Sequence, residues 1–569
     1  MILDLGRTGN RFRTSRDQDT AIFLSHGTRL GSGTFETRRY YNGTIEKQRN
    51  RLVVSQPRLE EAQSVVNVAT ALRSTTTINS IPPELLTEIF SFLINSQACI
   101  ICQVSSACHV QDRKGFAMYP DSLSHVCSAW RRLIIGVPYF WSHIDIALDC
   151  HFKPEFLARA KMFAARAGMV PLEIHLCDHI FRAGRVQRGF LAFQSCLKPR
   201  SPIESGHNSS VANDFDFFLS LPAHIKSLDI DLSSGILPFH VCILKHLFAG
   251  CEPGKLKSYS IRSGGYSDPM RFIEPIDDAQ IPGSMLFSVP SQRLEQILYG
   301  TTSLRLDGIC LPWSSKAYHG LVELRLGGRM GSRIPESSLV QILRSSPELR
   351  ILHLRVGLDD PLPLDNPIIL ISLKELEEVD ILGDDPPGHS DKILRWIAPS
   401  SRPIQLNFVG IPSTIAVPFC ARSRITRFYG EDFVSRREIV AGMICRSSRL
   451  EILALNARRF EDGNKLVSTL CSNPSDTDDL NPAFPSTTVD TLYFLNFTGL
   501  SFHDIQNVVN KFHIRRLMLR NTSIAYQMGR DQVICADPRE IKIKLSGLES
   551  GLVVEYLTKP CSLDLERWW

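Results

Sequence analysis

The spacing of apolar residues changes character along this 569-residue chain. From Ser80 to Leu93, Leu85, Leu86, Ile89, Phe90 and Leu93 recur at i, i+1, i+4, i+5 and i+8, which lines one side of an α-helix. Pro82 and Pro83 suit its opening turn, where backbone N–H groups lack intrahelical partners, and Glu84 sits at the positive helix end. Over Leu123 to Leu133, a seam of Leu123, Val126, Cys127, Trp130 and Leu133 predicts a second helix, with Asp121 or Ser122 as N-cap and Arg131 and Arg132 off the seam. Pro138 opens a third, shorter turn that carries Tyr139, Phe140 and Trp141 and passes into the alternating Ile144 and Ile146 of a strand.

Farther along, a different signal recurs: apolar, two positions, apolar, one position, apolar. It occurs at Ile225/Leu228/Ile230, Leu256/Tyr259/Ile261, Leu321/Leu324/Leu326, Leu349/Leu352/Leu354, Leu376/Val379/Ile381, Leu450/Leu453/Leu455, Val489/Leu492/Phe494 and Ile514/Leu517/Leu519. Weaker copies sit at Leu304 with Leu306, at Ile404 with Leu406 and Phe408, and at Ile425 with Phe428. The central positions 324, 352, 379, 406, 428 and 453 are 22 to 28 residues apart, the period of leucine-rich repeats. Helical patterns fall between them, with Leu339, Ile342 and Leu343 before Pro347, Ile393, Leu394 and Ile397 before Pro399, and Ile439 and Ile444 before Leu450.

Each such unit has an apolar side that it cannot cover alone. Stacked neighbours close a continuous core, so residues 147–560 are expected to form an irregular αβ solenoid, horseshoe-like, with a sheet on one side and helices outside. Pro154 to Ala167 reads as an amphipathic helix, and Leu172, Ile174 and Leu176 as the solenoid's first strand. Residues 180–210, Arg262 to Pro290 and Ser472 to Pro485 read as long loops. Residues 1–75 show no trusted periodicity and are expected to be a disordered basic segment, although Leu59, Ala62, Val65 and Val66 could share a helix face; residues 561–569 form a tail. The predicted class is α/β: a small helical module at 78–146, interrupted by a segment at 95–120, followed by the solenoid.

Composition narrows the chemistry. A hydrophobic fraction of 43% and a charged fraction of 22% are those of an ordinary globular protein. Residues 1–60 hold eleven Lys/Arg against six Asp/Glu, which equals the whole excess of +5, so no nucleic-acid footprint covers the body. No run is apolar enough to span a bilayer, and the amino end lacks a secretory h-region. The fifteen cysteines are scattered singly through apolar segments, which fits reduced thiols in cytosol or nucleus. The Asn-x-Ser/Thr matches at Asn42, Asn208, Asn496 and Asn521 would then carry no glycan. Cys99, Cys102, Cys108 and His109 contain ligand types, but the adjacency of Cys108 and His109 makes a tetrahedral set awkward. Leu30 to Glu36 (LGSGTFE) lacks the third glycine of a kinase loop, and no H-R-D or D-F-G follows. No cofactor, metal or catalytic set is expected.

The string Ile-Pro-Pro-Glu-Leu-Leu (Ile81 to Leu86), with Ile89, Phe90 and Leu93, then Val126-Cys127-x-x-Trp130-Arg131, then Pro138-x-x-Trp141, resembles the F-box. That resemblance implies docking onto a Skp-type adaptor and, through it, a cullin-RING ubiquitin ligase. It implies Ile81, Pro82, Leu85, Leu86, Ile89, Phe90 and Leu93 as leading adaptor contacts, and Val126, Cys127, Trp130 and Trp141 as the module's core. The chain departs from the family at Asn95 to Pro120, where the family has a tight linker. The repeats resemble the degenerate leucine-rich solenoids that often follow an F-box and bind a protein target. The expected role is therefore a non-catalytic substrate receptor of an SCF-type ligase. The alternative is an interaction scaffold that uses the same parts without productive ubiquitination.

Overall fold

A computed structural model describes residues 78, 81–96, 120–147, 154–177, 217, 221, 224–232, 236, 238–263, 270–275, 277, 285–287, 289–328, 332–363, 369–383, 390–431, 437–447, 449–457, 463–471, 487–528, 531–535, 537–547 and 551–557. The basic segment 1–75 with its LGSGTFE string, most of the inserted segment 95–120 with Cys99, Cys102, Cys108 and His109, the loops at 180–210 and Ser472–Pro485, and the tail 561–569 lie outside the described residues. The chain divides into two compact units, Met1–Leu86 and Thr87–Trp569.

The second unit is built on one fourteen-stranded sheet in which strands follow each other in chain order and every pair is parallel. Its strands are β1 (His143–Ala147), β2 (Leu172–Cys177), β3 (Ile225–Leu232), β4 (Ser258–Ser263), β5 (Ser303–Asp307), β6 (Glu323–Gly327) and β7 (Ile351–Arg355). They continue as β8 (Glu378–Gly383), β9 (Ile404–Gly410), β10 (Ile425–Glu431), β11 (Arg449–Asn456), β12 (Thr488–Leu495), β13 (Arg516–Arg520) and β14 (Val553–Tyr556). Parallel neighbours need a crossover between them, and most of the connections here carry a helix or a 3-10 turn. The result is a solenoid-like αβ array, as the repeat spacing predicts.

The register explains why the apolar triads recur. Ile144, Ile174, Leu228, Tyr259, Leu304, Leu324, Leu352, Val379, Leu406, Phe428, Leu453, Leu492, Leu517 and Val554 are successive register partners, and all are buried. A second buried row runs two residues later, from Ile146 through Leu354 and Ile381 to Leu519, with Gly430 the one residue in it lacking a side chain. Because side chains alternate across a strand, both rows share one face. Buried residues of the crossovers, among them Leu339, Phe419, Met443, Val467 and Val508, complete the core, and helices Ala416–Arg422, Arg437–Arg446, Gly463–Cys471 and Phe502–Phe512 pack one against the next.

Some elements differ from expectation. β1 joins the sheet, so the array starts at His143, ahead of the strand at Leu172. β14, which no strong triad marks, closes the other end. The segment Ser390–Trp396 is a 3-10 turn, pinned by Glu336, which is fully buried and accepts from Arg395 Nη2 at 2.9 Å, Trp396 Nε1 at 2.7 Å and the Leu362 amide at 2.6 Å. The presumed loop Arg262–Pro290 contains short strands Arg271–Pro275 and Met285–Phe287.

On the opposite sheet face, cross-strand polar pairs fill the middle of the array: ion pairs of Arg262 with Asp231, Arg305 with Glu323 and Arg355 with Asp380, and a hydrogen bond between His353 and Glu378. Toward the far end this face turns apolar, where Tyr429, Ala454, Tyr493, Leu495 and Met518 form a buried cluster against Val409, Ile452 and Leu557. A side-chain amide chain borders it: Asn521 Nδ2 donates to Asn496 Oδ1 at 3.0 Å, Asn496 Nδ2 to Asn456 Oδ1 at 2.8 Å, and Asn456 Nδ2 to the Tyr429 hydroxyl at 2.8 Å. Asn496 and Asn521 have left-handed backbones, φ 60 and 50, a region that asparagine tolerates better than other side-chain-bearing residues.

Two tests follow from these contacts. Asn496→Ala breaks two links and strains the backbone, so it should cost about 2–4 kcal/mol in chemical denaturation; Asn496→Gly should recover the backbone part, and equal losses in both variants would contradict the conformational share. Burial pushes the Glu323 carboxyl up, but Arg305 and Arg325 beside it outweigh that and hold it at about 2. A folded-state pKa below the ordinary 4.5 means that its contribution is whole above that pH and is lost as pH falls toward 2. Melting temperature should drop over that window, less steeply in Glu323→Gln; identical acid profiles would refute the assignment.

Candidate docking surface

Helix α1 (Pro83–Ser96) starts at a proline and carries Glu84 in its first turn, as its sequence predicts. Its apolar residues form two stripes displaced by one position, which is about 100° around a helix. Leu86 and Phe90 are buried and Leu93 is half-buried. Leu85, Ile89 and Phe92 are 57%, 44% and 73% exposed and recur at i, i+4 and i+7. Of the residues assigned to adaptor contact, Leu85 and Ile89 thus lie in the open together with Pro82, Ile81 is half-buried, and Leu86 and Phe90 are turned inward. Phe92, which the motif comparison leaves out, is the most exposed member of the stripe.

The packing around Phe90 explains the inward stripe. Its ring meets Trp130 edge-on, with centroids 4.6 Å apart. Trp130 lies on α3 (Ser128–Gly136), which follows α2 (Asp121–Ser124). The continuous second helix expected from Leu123 to Leu133 is broken at Cys127, whose extended backbone makes it the N-cap of α3, its Sγ accepting from the Trp130 amide at 3.5 Å. The break removes Val126 from the seam. Val126 is 60% exposed and does not belong to the module's core, whereas Cys127 and Trp130 are half-buried.

Trp141 sits at the end of the 3-10 turn Pro138–Trp141 and is fully buried. Its indole N–H donates to the Ile134 carbonyl at 2.8 Å, and its ring meets Phe163 of α4 (Pro154–Ala167) and lies under Arg166. Arg159 of α4 reaches back to Asp121 Oδ2 at 3.0 Å. Trp141 and Arg159 therefore attach the end of the helical segment to the first crossover of the solenoid. Within 78–146 lie Ile78, Leu85, Ile89, Phe92, Val126, Ile135 and Tyr139, seven of the fourteen large hydrophobic side chains exposed among the described residues. That density distinguishes the segment from the solenoid, whose apolar residues are largely sealed.

Titratable chemistry concentrates elsewhere. On β1 and β2, His143 Nε2 is 3.3 Å and His175 Nδ1 3.9 Å from Asp145 Oδ1, and His143 Nδ1 is 3.7 Å from Glu173 Oε2. Burial pulls the His143 imidazole down, but hydrogen bonds to Asp145 and Glu173 outweigh it and hold it at about 10. The hydrogen bond from His143 brings Glu173 to about 2, and burial together with the charge of His143 depresses His175. Sequence reasoning did not single out this group, although the shared alternation of Ile144/Ile146 and Ile174/Leu176 contains the register that brings it together. None of the nine described cysteines is in a disulfide; burial pushes Cys251 and Cys420 up to about 12, which leaves little thiolate at neutral pH.

No helix among the described residues is long and apolar enough to cross a membrane. No protein-family model matches the chain, and no curated protein matches it.

Proposed function

We propose that this chain is an F-box substrate receptor of a cullin-RING, SCF-type ubiquitin ligase, its helical segment docking on a Skp-type adaptor and its solenoid holding a protein target. The supporting observation is the second stripe of α1. A helix on a protein surface needs one apolar face for its own core, and Leu86 and Phe90 provide it; Leu85, Ile89 and Phe92 are surplus to that need. Their i, i+4, i+7 spacing suits a helix laid in a groove. Burying each is worth on the order of 1.5–3 kcal/mol, enough in sum to anchor a contact after ordering costs. Bond-making belongs to the partner ligase, and this chain contributes by holding the target within its reach, an effective-concentration role.

Pull-down with purified adaptor tests the reading. Leu85→Asp, Ile89→Asp and Phe92→Asp should each weaken adaptor recovery at least tenfold, because a carboxylate would be desolvated without a partner, while unfolding free energy changes by less than about 1 kcal/mol at such exposed sites. Phe90→Ala should behave oppositely, costing roughly 3–5 kcal/mol of stability through the cavity it leaves. Adaptor recovery equal to that of the unaltered chain in all three charged variants would reject the surface. Adaptor binding without ubiquitination of a captured partner would favour the scaffold alternative.

A further inference from the structure

We propose that His143, Asp145 and His175 form a zinc site that clamps the first two strands of the sheet. One donor atom from each residue lies within 4.8 Å of the other two, with the Asp145 oxygen 3.3 Å from His143 Nε2 and 3.9 Å from His175 Nδ1. Four-coordinate zinc with bonds of about 2.0–2.1 Å separates its donors by about 3.3 Å. One side of the triangle already has that length, and the others, at most 4.8 Å, would close to it by side-chain rotation when an ion binds. Two imidazole nitrogens and one carboxylate oxygen are a borderline donor set that suits zinc better than magnesium or calcium, which prefer oxygen alone.

A second observation points the same way. The other ring nitrogen of His143 faces Glu173 across the strand pair at 3.7 Å. A carboxylate that accepts from Nδ1–H fixes the ring with Nε2 toward the ion, which binds there in place of the Nε2 proton; zinc-binding histidines usually have such an outer partner. The backbone supplies the rest. His143 and Asp145 are two apart on β1 and so share one face, and parallel register sets His175 beside Asp145. The Asp145 side chain is 3% and that of His175 10% exposed, against 31% for His143, so the position open to water or to a partner's side chain lies on the His143 side.

The test uses the full chain, stripped with chelator, in a Cys99→Ser/Cys102→Ser background that removes the other paired ligand types. Equilibrium dialysis against zinc should give one ion per chain at micromolar affinity or better, with a rise in melting temperature. His175→Gln and Asp145→Asn should each lower the affinity at least tenfold, and Glu173→Gln, which leaves all three ligands in place, should lower it by about ten- to a hundredfold. The cobalt-loaded Cys99→Ser/Cys102→Ser chain should show visible bands of a four-coordinate nitrogen and oxygen site without a thiolate charge-transfer band; this measurement needs no substitution at the ligands and so stands even if a ligand variant misfolds. Absence of stoichiometric binding, unchanged affinity in the ligand variants, or a thiolate band would overturn the site.

Discussion

The fold depends on the coincidence of two apolar rows across fourteen strands. Each strand contributes one residue to the first row and, in β1 to β13, another two positions later to the second, so that Leu352 and Leu354 meet Val379 and Ile381 on one side and Leu324 and Leu326 on the other. A slip of one residue would turn both out of the core and bring polar residues such as His353 and Asp380 in, which makes the register the most strongly specified property of the array. The crossovers are much freer. They range from the short link between Gly410 and Ile425 to the long one between Cys177 and Ile225, because a solenoid unit needs only to bury its row against its neighbours.

The remaining faces are where this chain has freedom to interact, and they are unequal. The helical segment keeps apolar side chains exposed at a density that the array does not match, and α1 uses one stripe for folding while presenting another. The sheet face opposite the core changes character along its length, from carboxylates matched with arginines and histidines to the Tyr429–Met518 cluster. Charge pairing in the middle leaves little net field there, so specificity on that face would come from shape and from individual hydrogen-bonding groups rather than from bulk electrostatic attraction.

Much of the array was legible because strand alternation and repeat spacing reinforce each other from Leu324 to Leu519. The early intervals are uneven because long crossovers separate β2 from β3 and β4 from β5, which hides the period without altering the pairing. β14 escaped because Val554 alone supplies its deeply buried core residue. In the helical segment, periodicity carried the predicted seam straight through Cys127, whereas the backbone leaves the helical region there; one residue's torsion thus decided the exposure of Val126. The inward orientation of Leu86 and Phe90 was not legible from their spacing, since two adjacent stripes on one helix look alike until a partner such as Trp130 selects between them.

An open sheet of parallel strands ends in two unpaired rims, each a template on which another polypeptide can extend the ladder. Here the outermost rungs are only five and four residues long, and they bear the part-exposed His143 at one rim and Glu555 at the other. An invading segment would have to strip water from charge along a rung too brief to offset the loss. Trimming the protein to its central rungs would instead bare longer or greasier borders such as Leu172–Cys177, and polymerisation of the fragment is the consequence to expect.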